Sequence, residues 1–177
     1  ILDIGCGSGN MFETYSKLLK SNGFIVGIDQ TKELLNKANN QLLETNKLLI
    51  QHDMNNRLPF VDNSFDFMIS TFAIYYIDDV SFILNEIRRV LKDNGSFMLI
   101  GPSGKNAKEL YDFNEKIFGF GMDEKILKRT QRLEDEFYPA SKSIFQNVKF
   151  DRIDSKIVFP NKDEFLRYYK ATLLFEE

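Results

Sequence analysis

Short apolar runs alternate with segments of helical periodicity along the first half of the chain. Residues 1–4, 24–28 and 48–50 have the length and apolar character of buried strands. Residues 11–20 and the segment after Thr31 instead repeat apolar positions every three or four residues, as amphipathic helices do. On the second of these helices, one face would be formed by Leu34, Leu35, Ala38 and Leu42. The pattern therefore predicts strand, helix, strand, helix, strand.

The alternation continues as far as residue 101. Residues 65–70 predict a fourth strand, and residues 96–101 predict a fifth. Between them, Asp78 or Asp79 is expected to open a long helix that stops at Asn94-Gly95. Because parallel strands need a crossover between them, this succession indicates an α/β fold with a doubly wound, mostly parallel sheet.

Beyond Pro102 the regular alternation is lost. Residues 107–118 and 122–132 predict helices, residues 148–159 predict a long strand, and residues 162–174 predict a last helix. No internal repeat, low-complexity tract or linker divides the chain. We therefore expect residues 1–177 to form a single domain.

Composition narrows the class of partner. The 177 residues are 43% hydrophobic and 28% charged, with a formal net charge of −3. This balance disfavours a large basic surface for nucleic acid, so a small-molecule partner is expected. No apolar run approaches the roughly 18 residues of a membrane-spanning helix, so no membrane partner is expected. Cys6 is the single cysteine, which excludes an intrachain disulfide and favours a reducing, cytoplasmic location.

A glycine-rich turn follows the first predicted strand and precedes a predicted helix. Gly5, Gly7 and Gly9 would allow the backbone to take conformations with positive φ and a ligand to approach closely. Asp29 ends the second strand, near the roughly 20-residue offset at which a carboxylate accepts hydrogen bonds from ribose hydroxyls. Turn and carboxylate together predict a nucleoside-containing ligand.

Two kinds of cofactor use such a layout. The dinucleotide fingerprint is G-x-G-x-x-G, whereas this chain has Asn10 where the third glycine would stand. Asp3, just before the turn, would repel a pyrophosphate and suits a ligand with a positively charged amino group. An NAD-dependent oxidoreductase is therefore disfavoured but stays open as an alternative, as does a module that binds cofactor without turnover.

At this point the sequence resembles the class I S-adenosylmethionine-dependent methyltransferases, in the type 11 group that includes ubiquinone and menaquinone biosynthesis methyltransferases. The matching motifs, in chain order, are residues 1–9, Gly27-Ile28-Asp29, His52-Asp53-Met54, residues 58–60 with 63–66, and residues 86–95. The resemblance covers residue 1 to about residue 103. It implies a Rossmann-like sheet of strand order 3-2-1-4-5-7-6 with a helix before the first strand. On this expectation the chain is a methyltransferase domain truncated at both ends, lacking the leading helix and the last strand.

The resemblance also divides the domain and implies its ligand. Residues 1–103 would form the core that binds S-adenosylmethionine, residues 104–147 a helical wall or lid over the substrate, and residues 148–177 a C-terminal strand and helix. The implied reaction is methyl transfer to a small-molecule acceptor, achieved mainly by orientation and proximity. Carbon, nitrogen and oxygen acceptors all stay open, and no catalytic base or metal ligand is assigned.

Site residues carried over from the resemblance fall into three groups. The methionine portion would be held by Asp3 and by the turn residues Gly5, Cys6, Gly7 and Gly9. The nucleoside would be held by Asp29 and Gln30 at the ribose, by Asp53 at the adenine amino group, and by the backbone of Met54 at a ring nitrogen. The floor near the sulfonium would be formed by Ser70, Thr71 and Phe72.

Acceptor contacts are predicted at Tyr75, Tyr76, Tyr111 and Phe118. For the first two, a packing role is about as well supported as substrate contact. Cys6 is interpreted as a small filler of the turn and His52 as a structural or adenine-pocket residue. The basic residues Lys125, Lys128, Arg129 and Arg132 are interpreted as a solvated helix face, because acidic residues follow them at once.

Overall fold

A computed structural model describes residues 1–41 and 46–172 and contains a five-stranded sheet of order β3-β2-β1-β4-β5. Its strands are β1 (Leu2–Ile4), β2 (Ile25–Asp29), β3 (Lys47–Gln51), β4 (Phe65–Thr71) and β5 (Leu91–Ile100). Every pair of neighbouring strands is parallel. This confirms the predicted α/β class and the first five positions of the predicted strand order. The ligand-binding edge of such a sheet is the one where its strands end.

One face of the sheet is covered by α3 (Val80–Val90). Asp79 caps this helix by accepting a hydrogen bond of 2.9 Å from the backbone N–H of Phe82. Since side chains alternate along a strand, Leu2 and Ile4 of β1 point to this face and pack in one core with the buried residues of α3.

The opposite face is covered by α1 (Phe12–Ser16) and α2 (Lys32–Asn39), which enclose a second, smaller core. The close fit there requires Gly27, because a β-carbon at this position would lie 2.8 Å from the Cys6 sulfur and 3.1 Å from the Phe12 ring. Asp3 points to this same face, between the paired residues Gly27 and Ile69.

The C-terminal part is helical. It contains α4 (Lys108–Phe118), α5 (Glu124–Arg132), one turn of π-helix at Leu133–Phe137, α6 (Tyr138–Ile144) and α7 (Lys162–Lys170). Phe137 is buried in the core beneath α3, so this part is packed against the sheet through α3. By contrast, α4 packs with α7: Phe113 meets Phe165 edge to face, and the Tyr169 hydroxyl donates to Asn114.

The prediction of a strand at residues 148–159 is wrong. This segment has no regular secondary structure, and Ile153 is 89% exposed. A strand needs a neighbour that pairs with its backbone groups, and none of the described strands lies beside this segment. Apolar character alone was therefore insufficient to make it a strand.

Three helix ends also differ from the predictions. α1 ends at Ser16 instead of residue 20, and Leu18, within the predicted helix, is 68% exposed. α3 ends at Val90 instead of Asn94-Gly95, because Leu91 pairs with Phe65 of β4. α7 ends at Lys170, before the predicted residue 174. Leu42 and residues 173–174 lie outside the described residues. Within the described ranges, no helix is both long and apolar enough to cross a bilayer.

Candidate functional site

The glycine turn lies at the carboxyl end of β1 and takes the left-handed backbone that its sequence predicts. The φ angles of Gly5, Gly7 and Gly9 are 74°, 53° and 76°. A β-carbon on Gly5 would lie 2.3 Å from the side chain of Ala73, whereas one on Gly7 would meet nothing within 4 Å. The turn is therefore packed against the loop after β4 on one side and open at Gly7 on the other.

Asp29 fastens this turn to the end of β2. One oxygen of its carboxylate accepts a hydrogen bond of 2.9 Å from the Gly7 N–H, and the other accepts one of 2.8 Å from the Thr31 N–H. Each carboxylate oxygen has a second lone pair, so two acceptor positions are left for hydroxyl groups. Gln30 beside it is exposed, and its carbonyl accepts from the Gln51 side chain at 3.0 Å.

A buried polar group lies beneath the turn, on the face covered by α1. Asp3 is only 3% exposed, and its Oδ1, the Tyr15 hydroxyl and the Thr71 hydroxyl are buried without a hydrogen-bond partner among the described residues. The pKa of Asp3 is raised to about 7, mainly by burial; the nearby Tyr15 hydroxyl lowers it, although no bond of hydrogen-bond geometry joins the two groups, and the charge of Asp29 adds to the rise. Unpaired buried polar atoms are costly, which makes this group suited to a ligand that brings hydrogen-bond donors and positive charge.

The loop after β3 carries the predicted adenine contacts. Asp53 Oδ1 accepts from the backbone N–H and the side-chain amide of Asn55, at 2.9 Å and 3.0 Å. Both bonds are to one oxygen, so the second oxygen of Asp53 can accept from another donor. Met54 is half-buried against the core of the α3 face. The ring of His52 lies 3.4 Å from the Asn56 carbonyl, which agrees with a structural role in this loop.

The predicted floor of the site is divided between three environments. The Ser70 hydroxyl is fully buried and donates to the Ile4 carbonyl at 2.7 Å, so it joins β4 to β1. Thr71 belongs to the buried polar group. Phe72 is exposed and has a positive φ of 52°, a conformation that is uncommon for a residue with a bulky side chain and often occurs at functional sites.

The sequence is interpreted as placing Cys6 in the turn as a small filler, and the position of its side chain in the structure agrees with this. The thiol is buried and contacts the α1 face of the sheet. Burial, followed by the charges of Asp3 and Asp29, raises the pKa of the thiol to about 12. Because the thiolate is the nucleophilic form, this cysteine is unreactive at neutral pH.

Beyond the floor, the chain turns into a short 3₁₀ helix, Ile74–Tyr76. Tyr75 is buried and Tyr76 is exposed. Arg132 of α5 donates to the backbone carbonyls of Tyr75 and Ile77 and pairs with Glu136 at 2.8 Å. For Arg132 the interpretation as part of a solvated face is therefore wrong, because it holds the 3₁₀ helix in place.

The other two predicted acceptor contacts lie on α4. Tyr111 is half-buried, and Phe118 is 57% exposed with its ring 6.2 Å from that of Phe120. The ring contacts of α4 with α7 orient this helix, and contact of Tyr111 and Phe118 with an acceptor stays a prediction.

The places of two side chains beside the candidate site could not be predicted from the sequence. Tyr15 falls within the predicted helix of residues 11–20 and was given no role of its own, although the hydroxyl of a buried tyrosine needs a partner. Arg132 contacts a backbone 57 residues away, and no local pattern in the sequence shows such a contact.

The family described as methyltransferase domain matches residues 2–99, which contain the sheet, the turn and the carboxylates described above. The chain belongs to this family. A demethylmenaquinone methyltransferase of Oceanobacillus iheyensis is 27% identical over 88% of this chain and 71% of its own length. The ubiquinone/menaquinone biosynthesis C-methyltransferase UbiE of Rickettsia typhi is 28% identical over 97% of this chain and 66% of its own length.

The crystal structure of a SAM-dependent methyltransferase from Aquifex aeolicus shares the fold, with a TM-score of 0.54 and 27% identity. The match covers 58% of this chain and 56% of that one, so the chain spans about half the length of that structure and about two thirds of the curated relatives. The domain is a class I S-adenosylmethionine-dependent methyltransferase domain of Rossmann-like fold.

The residues present fit S-adenosylmethionine. The open face at Gly7 leaves room for a ligand, and the remaining lone pairs of Asp29 suit a ribose. The unpaired Oδ1 of buried Asp3 suits a cationic amino group and would repel the pyrophosphate of NAD. The cofactor of this domain is S-adenosylmethionine, and the NAD-dependent alternative is not favoured.

Proposed function

We propose that the chain transfers a methyl group from S-adenosylmethionine to a small-molecule acceptor. The observation that carries this proposal is the carboxyl edge of the sheet, where an open glycine turn, a ribose-compatible Asp29 and a buried, unpaired Asp3 lie together. The relatives support the acceptor class, because two of them are named for quinones, which are small molecules. The roles of the individual residues are part of the proposal.

In this mechanism the chain supplies orientation and a protected cavity. When bound, S-adenosylmethionine supplies an electrophilic methyl group on a sulfonium ion. Asp29 and the glycine turn hold one end of the reacting pair, and Thr71 and Phe72 border the place where the acceptor must approach. Holding two reactants in line can lower the barrier by on the order of 7–11 kcal/mol in favourable cases, and it needs no covalent intermediate with the enzyme.

Tyr75, which lies next to this place, is not a base at neutral pH. Burial, followed by the neighbouring Tyr76, raises the pKa of Tyr75 to about 12, so its phenol is protonated at neutral pH. The proposal therefore favours an acceptor atom that is already nucleophilic. We further propose a cytoplasmic location, which the single unpaired Cys6 supports.

The test compares two ligands on the whole chain. Titration calorimetry should show binding of S-adenosylhomocysteine and no binding of NAD. Incubation with S-adenosylmethionine and a panel of quinols and phenols should then release S-adenosylhomocysteine with at least one acceptor. Binding without turnover on any acceptor would instead support the non-catalytic module, and binding of NAD alone would contradict the proposal.

A further inference from the structure

An open groove of about 440 Å³ lies between the 3₁₀ helix after β4 and helix α5. Its aromatic wall consists of Tyr75 and Tyr76, whose ring centroids are 4.7 Å apart. Tyr76 is 56% exposed, and the guanidinium of Arg129 lies 5.0 Å from the centroid of its ring. The groove therefore presents an aromatic surface directly beside a cation.

The cations of the groove differ in how far they are neutralised. Arg132 is engaged by Glu136 and by two backbone carbonyls, and Lys128 pairs with Glu124 at 2.6 Å. The side chains of Lys125 and Arg129 make no hydrogen bond or ion pair with the described part of the chain. Within the described ranges no acceptor engages the N–H donors of Arg129, whose planar fork fits an oxyanion.

Two carboxylates limit the charge that the groove can accept. Asp78 and Glu136 also line it, and they repel an extended polyanion such as a nucleic acid strand. Against these, Lys125 and Arg129, which pair with no carboxylate among the residues that the structure describes, suffice for a single negative group. The guanidinium of Arg129 lies over the ring of Tyr76, so a planar aromatic ligand would pack against the exposed edge of this ring, in the edge-to-face arrangement that aromatic pairs favour.

The groove lies at the same edge of the sheet as the glycine turn. Ala73, immediately before the 3₁₀ helix, packs on Gly5 of the turn. On the other side, a β-carbon on Gly101 would lie 3.2 Å from the ring of Tyr75, which places this ring at the end of β5. The groove is thus adjacent to the place where the cofactor site is proposed.

We propose that this groove holds the methyl acceptor, and that the acceptor is a planar aromatic compound carrying one oxyanion. Its ring packs on Tyr76, and its oxyanion accepts hydrogen bonds from Arg129 and Lys125. The role in catalysis rests on the proposed methyl transfer, whereas binding of such a compound to the groove does not.

The experiment measures binding of two probes that differ in one charged group, 1-hydroxy-2-naphthoate and uncharged 1-naphthol, by calorimetry on the whole chain. The wild type should bind the naphthoate at least about tenfold more tightly at low salt, and this preference should shrink as ionic strength rises. Arg129→Gln should abolish the preference. Lys142→Gln is the matched control, since Lys142 lies over the Tyr138 ring at 4.5 Å on α6, outside the groove, and this variant should keep the preference.

Equal affinities for the two probes in the wild type, or an unchanged preference in Arg129→Gln, would overturn the groove assignment. S-adenosylhomocysteine is titrated separately into both proteins, and Arg129→Gln should bind it as the wild type does. If the wild type fails to bind S-adenosylhomocysteine while preferring the naphthoate, the proposed function fails and the groove assignment stands.

Discussion

At the scale of single residues, Asp29 has two functions that must be separated experimentally. Its carboxylate bonds the backbone of Gly7 and of Thr31, and its free lone pairs are proposed to bind the ribose. Asp29→Ala should weaken S-adenosylhomocysteine binding at least about tenfold, because charge-assisted hydrogen bonds contribute roughly 1.5–3 kcal/mol. Calorimetry measures this affinity, and circular dichroism reports whether the variant is folded.

Asp93→Ala is the control for this substitution. Asp93 is an exposed carboxylate that pairs with Arg88 at 3.3 Å, away from the turn, and its loss should leave the affinity unchanged. If a folded Asp29→Ala variant binds S-adenosylhomocysteine as tightly as the wild type, Asp29 does not belong to the cofactor site.

Asp3 should make the stability of the protein depend on pH. Burial raises the pKa of Asp3 from 3.8 to about 7, so between these values the folded chain retains a proton that the unfolded chain has lost. The free energy of unfolding therefore falls as pH rises through this window, by on the order of 2–4 kcal/mol from this group. Asp3→Asn removes the buried charge. It should be more stable than the wild type at about pH 8 and similar to it at about pH 4, as measured by urea unfolding.

A ligand can reverse this effect. A cationic amino group next to Asp3 favours the ionised carboxylate, so the affinity of the wild type for S-adenosylhomocysteine should rise with pH across neutrality. In Asp3→Asn this dependence should be absent. A wild-type affinity that is flat from about pH 6 to about pH 8 would show that Asp3 does not face the ligand.

At the scale of elements, Arg132 connects α5 to the 3₁₀ helix beside the site. Its side chain donates to the carbonyls of Tyr75 and Ile77 and is largely buried. Arg132→Gln should lower the free energy of unfolding by roughly 1–3 kcal/mol, because two carbonyls lose their donor. Arg88→Gln, which removes an exposed ion pair of α3, should change it by less than about 1 kcal/mol. Equal effects of the two substitutions in urea unfolding would contradict a specific role of Arg132.

Some helices and strands were predicted well from the sequence. In these, the local pattern of apolar and polar residues agrees with the packing that neighbouring elements require. The five strands of the sheet and the capped start of α3 were predicted because apolar runs, turns and Asp79 indicate the same arrangement. Residues 148–159 have the apolar content of a strand, but strand formation also depends on a paired neighbour, which local sequence does not contain. The end of α3 differs for a similar reason, since pairing of Leu91 with Phe65 competes with another helical turn.

The candidate site also has a part that could be predicted from the sequence and a part that could not. The glycine turn and Asp29 could be predicted because a short motif carries both their conformation and their chemistry. The groove could not, because it joins Tyr76 to Arg129 of a distant helix, and the sequence shows only a run of basic residues there. Contacts of this kind depend on how α5 packs on the end of the sheet.

At the scale of the whole molecule, charge distribution argues for a small acceptor over nucleic acid. The net charge is −3, and two of the basic residues of α5 are paired with acids, Lys128 with Glu124 and Arg132 with Glu136. Non-specific binding to nucleic acid depends on releasing counterions from several phosphates at once, which needs an uncompensated row of cations.

In a gel-shift assay with transfer RNA at physiological salt, the chain should therefore bind with a dissociation constant above about 10 µM. The double variant Glu124→Gln with Asp135→Asn removes two exposed acids from this region and should bind RNA more tightly than the wild type, which shows that the assay responds to the charge in question. Tight binding by the wild type that weakens steeply as salt is raised would overturn the small-molecule acceptor and place α5 at a nucleic acid interface.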